Sequence, residues 1–422
     1  MKVEKLIALT LNLQLFAVQV TTQDSLSPEM KTFYDMALID EASANLVHDQ
    51  FGQKRPIPSG SGKTIEFRKF APLDKALTPL TEGVTPDGNS LTVTSMTATV
   101  AQYGDYITQS DVLELTALDN TILEATKLLG RQAGLTLDTV TRNVLQSGTN
   151  VSFASKWSGT TEVPVTARKD LDKTAVLKVD TVQQVVAKMR ACNAPTINGK
   201  YVAIIHPYVA YDLMRDPEWI DSHKYAQPVN LYEGEIGEIG GVRFVQSTEA
   251  KIYNGENIVL GQDASGNDVN YLVLNGAITA GAKTTFNFDG VTVEADALIG
   301  KYLNVGGVNV LITDNDTTSV TFASTTLPAV ADNTKIYATE CAAGAVFGSL
   351  FLADGGYGVT EITGGGLQTF VKQKGSAGTA DPLDQRSSVG WKALKTAKIL
   401  IPDYVVRVES CSSRYSATAK AN

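Results

Sequence analysis

The sequence predicts an α+β fold interrupted by an inserted β-rich domain. Three observations lead there. One long helical periodicity runs through DNTILEATKLLGRQAGLTLDTVTRNVLQSG, Asp119 to Gly148; strand-type alternation flanks it on both sides; and helical periodicity disappears between about Asp263 and Glu340. A chain of 422 residues has room for two to four domain-sized units with sizeable cores. Only 19% of residues are charged and there are 35 glycines, a mixture that leans toward strands and loops rather than helical bundles.

At the N-terminus, Ile7, Leu9, Leu11, Leu13 and Leu15 alternate with Ala8, Thr10, Asn12 and Gln14. A secretory signal is apolar all round, so this one-faced pattern predicts an arm that docks as a strand. Next, PSGSGKT, Pro58 to Thr64, ends like a phosphate-binding loop, but Ile57 stands where the first glycine belongs. The following TIEFRKF alternates as a strand does, where a phosphate loop needs a helix whose N-terminus faces the anion. The segment therefore reads as a turn into an extended hairpin from Thr64 to Ile107, with a loose polar tip. In the returning strand Leu91 and Val93 share one phase and Met96, Ala98 and Val100 the other, which predicts a bulge near Ser95.

The long helix places Ile122, Ala125, Leu129, Ala133, Leu137, Val140 and Val144 on one face. Thr121 with Glu124 predicts a capping box and Gly148 a stop, giving a helix of roughly 40 Å at about 1.5 Å per residue. Further on, Asp180 is expected to cap a helix with Val182, Val185, Val186 and Met189 inward, YVAII at 201–205 is a buried strand, and Pro207 opens another helix. GEIGEIGGVRFVQS supplies glycine turns and a strand. The segment 263–340 holds nine acidic and three basic residues, so its net −6 accounts for most of the chain's −9 and suits a solvated, outward-facing module. Strands resume in AVFGSLFLADGGYGV, KILI and YVVRVES.

No group of residues assembles an active site. His48, His206 and His223 belong to no HExxH, no GxSxG elbow exists, and Cys192, Cys341 and Cys411 form no CxxC pair, which points to a reducing compartment. His206, between a buried strand and Pro207, reads as a satisfied corner histidine. DNDTTS at 314–319 lacks the glycine and distal glutamate of a calcium loop and reads as a hairpin turn. The net charge argues against a generic basic surface for nucleic acid while leaving room for local basic patches, and no segment is long and apolar enough to span a membrane. No metal, cofactor or catalytic residue is expected.

The motifs LNLQLFA, LVHDQFGQKRPIP, GKTIEFRKF, LTEGVTP, QYGDYITQSDVLELT, LGRQAGLTLD, GKYVAIIHP, GEIGEIGGVRF, DPLDQRSSVGWKALKTAKIL and VVRVESCSS occur in this order. Together they resemble the major capsid proteins of tailed bacteriophages, in the branch found in large-polymerase podophages. The resemblance covers roughly residues 1–262 and 341–422, and the acidic segment has no counterpart. It implies an N-terminal arm (1–57), an extended β-hairpin loop (58–108), a peripheral domain with a long spine helix (109–169), an axial domain (170–262), an inserted β-rich domain (263–340) and a return to axial and peripheral strands (341–422). It also implies a structural protein that self-assembles as hexamers and pentamers into an icosahedral shell around double-stranded DNA. Portal, scaffold and decoration proteins would be its partners, and it would be assembled in the bacterial cytoplasm and end in the virion. Arg68, Glu82, Lys372 and Arg386, which flank the extended loop and the DPLDQR segment, are the expected intersubunit charges. Two other readings are a bacterial nanocompartment shell on the same fold and a nucleotide-dependent or hydrolytic enzyme built on Lys63 or His206.

Overall fold

The computed structural model describes residues 38, 46–58, 62–70, 73, 75, 77, 79, 88, 90–116, 121–159, 161–223, 237–361, 366–372, 374, 383 and 385–422. The expected arm strand, most of the hairpin tip and Glu82 lie outside them. The described residues divide into two compact units. The smaller contains Leu38 and those of Tyr103–Ala133 and Leu367–Ala393, and the larger those of Ala44–Gln102, Gly134–Gly366 and Leu394–Asn422.

In chain order, β1 (Gln53–Lys54), β2 (Thr64–Phe70), β3 (Val93–Thr99) and β4 (Ala101–Ser110) precede helices α1 (Asp111–Thr116) and α2 (Thr121–Gln146). Then come β5 (Val151–Phe153), β6 (Lys156–Ser158), β7 (Thr161–Val163), α3 (Val179–Ala191), β8 (Tyr201–Ile205), α4 (Pro207–Met214) and α5 (Pro217–His223). Short strands β9 (Glu238–Ile239), β10 (Val242–Gln246), β11 (Ile252–Tyr253), β12 (Gly261–Gln262) and β13 (Asp268–Val269) follow. Six more are β14 (Tyr271–Leu274), β15 (Gly281–Asp289), β16 (Tyr302–Val305), β17 (Val308–Asn315), β18 (Ser319–Leu327) and β19 (Lys335–Thr339). The last are β20 (Val346–Leu352), β21 (Tyr357–Glu361), β22 (Gln368–Lys372), β23 (Arg386–Ile399) and β24 (Val405–Ser410).

The centre of the larger unit is a sheet ordered β5-β24-β20-β8-β10-β9, with β11 added beside β20. β8 runs parallel to β10 and antiparallel to β20, and it is buried along its whole length, as a continuous apolar run requires. Val182, Val186 and Met189 of α3 pack with Ala203 and Ile205 of β8 and Phe347 and Phe351 of β20. The expected cap of α3 is corrected: the cap position is Lys178, and Asp180 sits in the first turn. The Val179 N–H is satisfied from a distance, by Asp216 Oδ2 at 2.9 Å. α4 opens with Pro207 at its first position and His206 as its cap, whose Nδ1 accepts from the Tyr208 N–H at 3.2 Å.

β2 and β3 pair without interruption from Thr64↔Thr99 to Phe70↔Val93, with Ser95 opposite Arg68. The expected bulge near Ser95 is absent. Phe67 and Ala98 at the hairpin base are buried against Leu400, whereas Leu91 and Val93 are 68% and 47% exposed. Their phase therefore records no burial within this chain, and the apparent slip had no structural counterpart. Gly358 makes room for the Phe67 ring: a Cβ there would lie 2.7 Å from it.

Residues 271–339 form a closed barrel ordered β14-β15-β18-β17-β16-β19, antiparallel throughout. Register shifts at Lys283/Thr285 and Ile312/Asp314 supply the local bends that closure demands. Alternate residues point inward, among them Leu272, Leu274, Phe286, Phe288, Leu303, Val310, Ile312, Phe322 and Ile336. This core is separate from that of the central sheet. The barrel joins the rest of its unit where Gly255 N–H donates to Glu340 Oε1 at 3.2 Å. Gly255 has φ +76°, and a Cβ there would overlap the Ala338 carbonyl.

In the smaller unit, β22 pairs with β23 from Gln368↔Lys392 to Lys372↔Ser388, and β4 lies on the other side of β23. A Cβ on Gly104 would sit 2.6 Å from the Trp391 carbonyl, so this ladder needs its glycine. Gln132 links the elements, donating to Asp105 Oδ2 at 2.7 Å and accepting from Trp391 Nε1 at 3.3 Å. α2 starts without the expected capping box. The Thr121 hydroxyl donates to Gln109 Oε1 at 3.2 Å, and Glu124 pairs with Lys127 at 2.9 Å.

Candidate assembly surfaces

Arg68 lies exposed on β2, with Nε 3.6 Å from Glu66 Oε1. Such an exposed neighbour pair is weak, which leaves the guanidinium open to exchange partners. Lys372 and Arg386, both exposed, lie at the same end of the β22–β23 ladder, since Lys372 pairs with Ser388. Glu82 lies outside the described residues.

Apolar side chains gather at two exposed places. On the hairpin, Leu77 is 82% exposed and Leu73, Leu91 and Val93 are also exposed. In the smaller unit Tyr106, Val112, Leu113, Leu128, Phe370 and Leu383 are exposed. A two-stranded ladder buries too little area to be stable alone, and clusters of exposed apolar residues mark interaction surfaces.

Buried polar anchors that local sequence patterns did not indicate tie distant segments together. On the C-terminal half of α2, Asp138, Thr141, Arg142 and Gln146 are buried. The Thr141 hydroxyl donates to Asp49 at 2.6 Å, and Lys395 pairs with the same carboxylate. Arg142 donates to the Glu249 carbonyl at 2.8 Å, and Gln146 Nε2 to the Gly348 carbonyl at 2.8 Å. Burial pulls the Arg142 pKa below its ordinary value. Arg168, in a 3-10 turn at Arg168–Asp170, holds Glu409 of β24 and reaches Glu340 at the barrel's junction, 3.3 Å away. Arg407 Nε lies 2.9 Å from Glu409, so one buried carboxylate serves two arginines.

Among the described residues, neither Lys63 nor His206 belongs to an active site. Lys63 is exposed and is followed by strand β2, with no helix N-terminus to receive a phosphate. His206 is buried among Tyr208 and Phe347, and burial lowers its pKa to about 4. Among the described residues no group of three or more His, Cys, Asp or Glu side chains could hold a metal, and no helix is long and apolar enough to cross a membrane.

The phage capsid protein family matches residues 93–264, from β3 to the start of the inserted segment. No curated protein sequence matches the chain. Among solved structures it is similar to the capsid of cyanophage Pam1, with a TM-score of 0.50 at 11% identity over 84% of this chain and 87% of that one. The fold is that of a phage capsid subunit, and residues 93–264 match the phage capsid protein family. The chain is also similar to the capsid of Ralstonia phage GP4, with TM-score 0.49, 11% identity and coverage of 86% and 87%. For the capsid of cyanophage P-SCSP1u the TM-score is 0.48, with 11% identity and coverage of 86% and 87%. This family and fold are structural and not enzymatic, and neither the nanocompartment nor the nucleotide-enzyme reading is favoured.

Proposed function

We propose that this chain is the major shell subunit of a tailed phage or prophage, joining its own copies as pentamers and hexamers around double-stranded DNA. The observation that carries the reading is the β2–β3 hairpin, whose base is buried on Leu400 while Leu77 and Leu91 beyond it are exposed. A strand pair in that condition gains stability by lying on another chain, and shells repeat such heterologous contacts around rotation axes. In this reading 58–108 is the extended loop, α2 the spine of the peripheral domain, 170–262 most of the axial domain, and 263–340 an outward module. Arg68, Glu82, Lys372 and Arg386 meet charges on neighbouring subunits. Portal and scaffold or decoration proteins complete the particle, which assembles in the bacterial cytoplasm.

The test is deletion of Leu73 to Ser90. The variant should keep the parent's circular dichroism and melting profile yet yield no closed shells by negative-stain electron microscopy. Normal shells from that variant would sink the proposal. Excising 263–340 should leave shell formation intact.

A further inference from the structure

A cleft of about 490 Å³ opens between the central sheet and the root of the barrel, both parts of the larger unit. One wall carries Arg168, Lys169 and Arg407, and the other Lys301, Tyr302 and Thr339. Glu409 and Glu340 also border it, but both carboxylates are already engaged. Glu409 accepts two bonds of 2.6 Å from Arg168, and Glu340 takes Arg168 at 3.3 Å and the Gly255 N–H at 3.2 Å. Four cations and two carboxylates line the cleft itself, with Asp170 and Asp172 beyond the lining, in a chain whose net charge is −9.

The uncommitted groups are donors. Lys301 Nζ is held by the Val259 carbonyl at 2.8 Å and has no carboxylate partner among the described residues. Burial lowers its pKa, the mark of an ammonium lacking a counter-charge. Lys169 is exposed at the rim and likewise has no carboxylate partner among the described residues. The Thr339 hydroxyl is buried and makes no hydrogen bond. Burial raises the Tyr302 pKa, so its hydroxyl stays protonated and able to donate, although Asp170 and Asp172 act on it from nearby. A buried hydroxyl without a partner is costly, and so is an unpaired ammonium, so the cleft is organised for an acceptor with several oxygens and more than one negative charge.

We propose that this cleft binds a phosphate group. Lys301 and Lys169 would supply the charge, and Thr339 and Tyr302 would donate to the oxygens. A carboxylate, with two oxygens and a single charge, would leave part of this donor set unused, whereas a phosphate carries about −1.5 to −2 and three strong acceptor oxygens. The group comes either from a small ligand such as pyrophosphate or a nucleotide, or from a nucleic-acid backbone. Because Lys169 stands on one wall and Lys301 with Thr339 on the other, the bound anion ties the barrel root to the central sheet.

The test uses the full-length chain at constant ionic strength, following thermal melting and calorimetric titration with sodium pyrophosphate in one arm and a short DNA duplex in the other. Binding should raise the melting temperature in at least one arm. Lys301→Met, which keeps the chain length and removes the charge, should weaken it by about tenfold or more. Lys169→Ala, an exposed and structurally tolerant change, should weaken it too, and Lys301→Arg should retain it. A response to pyrophosphate identifies a free phosphate ligand, and a response to DNA alone identifies the backbone. No response in either arm, or a response unchanged in both Lys301→Met and Lys169→Ala, overturns the proposal.

Discussion

His48 and Asp138 meet with Nδ1 and Oδ2 2.6 Å apart, both side chains fully buried, and the His48 backbone N–H donates to the other carboxylate oxygen at 2.7 Å. One carboxylate thus fastens the segment before β1 to the middle of α2, and the Tyr357 hydroxyl adds a bond to the His48 carbonyl. Asp138→Ala strands two buried donors at once and should cost about 3 kcal/mol in urea unfolding. A double-mutant cycle with His48→Ala should give a coupling of about 1–3 kcal/mol. Strict additivity would show that the pair contributes nothing jointly.

The two carboxylates on Arg168 should differ in consequence. Glu409 is 1% exposed and serves both Arg168 and Arg407, whereas Glu340 touches Arg168 through one longer bond. Glu409→Gln leaves two guanidinium groups short of charge and should lower stability by about 3 kcal/mol, against about 1 kcal/mol for Glu340→Gln. Equal losses in denaturant titration would refute this ranking.

Stability should fall in mild acid because of His206. Its folded pKa of about 4 lies below the ordinary 6.5, through burial. The unfolded chain therefore takes up the proton first: the contribution is complete above pH 6.5 and disappears as pH falls toward 4. Allowing for solvent that reaches the ring, the loss is on the order of 2 kcal/mol. His206→Asn keeps a cap acceptor for α4 but cannot titrate in this range. Its stability profile between pH 6.5 and 4 should be flatter than the parent's, and parallel profiles would remove His206 as the cause.

Thiol accessibility gives a simpler check. Cys192 is exposed, while Cys341 and Cys411 are buried with sulfurs 3.7 Å apart. Their mutual hydrogen bond pulls the Cys341 thiol down and pushes Cys411 up. In the unassembled native chain a maleimide should label Cys192 alone, and all three cysteines only after unfolding. Rapid native labelling of Cys411 would mean that β24 opens readily.

Local patterns revealed the elements better than their anchors. α2 was legible because Ala125, Leu129, Ala133 and Leu137 recur on one face, and all four are buried. The same periodicity put Val140 and Val144 inward, yet both are only partly buried while Thr141, Arg142 and Gln146 are buried. Apolar spacing cannot reveal this, because those polar residues are satisfied by Asp49, Glu249 and Gly348, far away in sequence. The α3 cap failed for the same reason, its first N–H being served by Asp216. Short alternating runs announced strands between 263 and 340, but closure depends on register shifts that composition does not encode. Of the four expected contact charges, Arg68, Lys372 and Arg386 are exposed, and their local pattern does not indicate what they face. The cleft at the barrel root joins Lys169 to Lys301 and Thr339, a convergence that only the fold creates.

The single hydrogen bond from Gly255 to Glu340 brings together the two ends of the barrel segment. For protein engineering, this makes the junction a socket. A foreign domain whose own termini lie side by side can be spliced between these residues without stretching the strands that flank them, and every copy of the subunit would then carry one graft at a fixed attachment point.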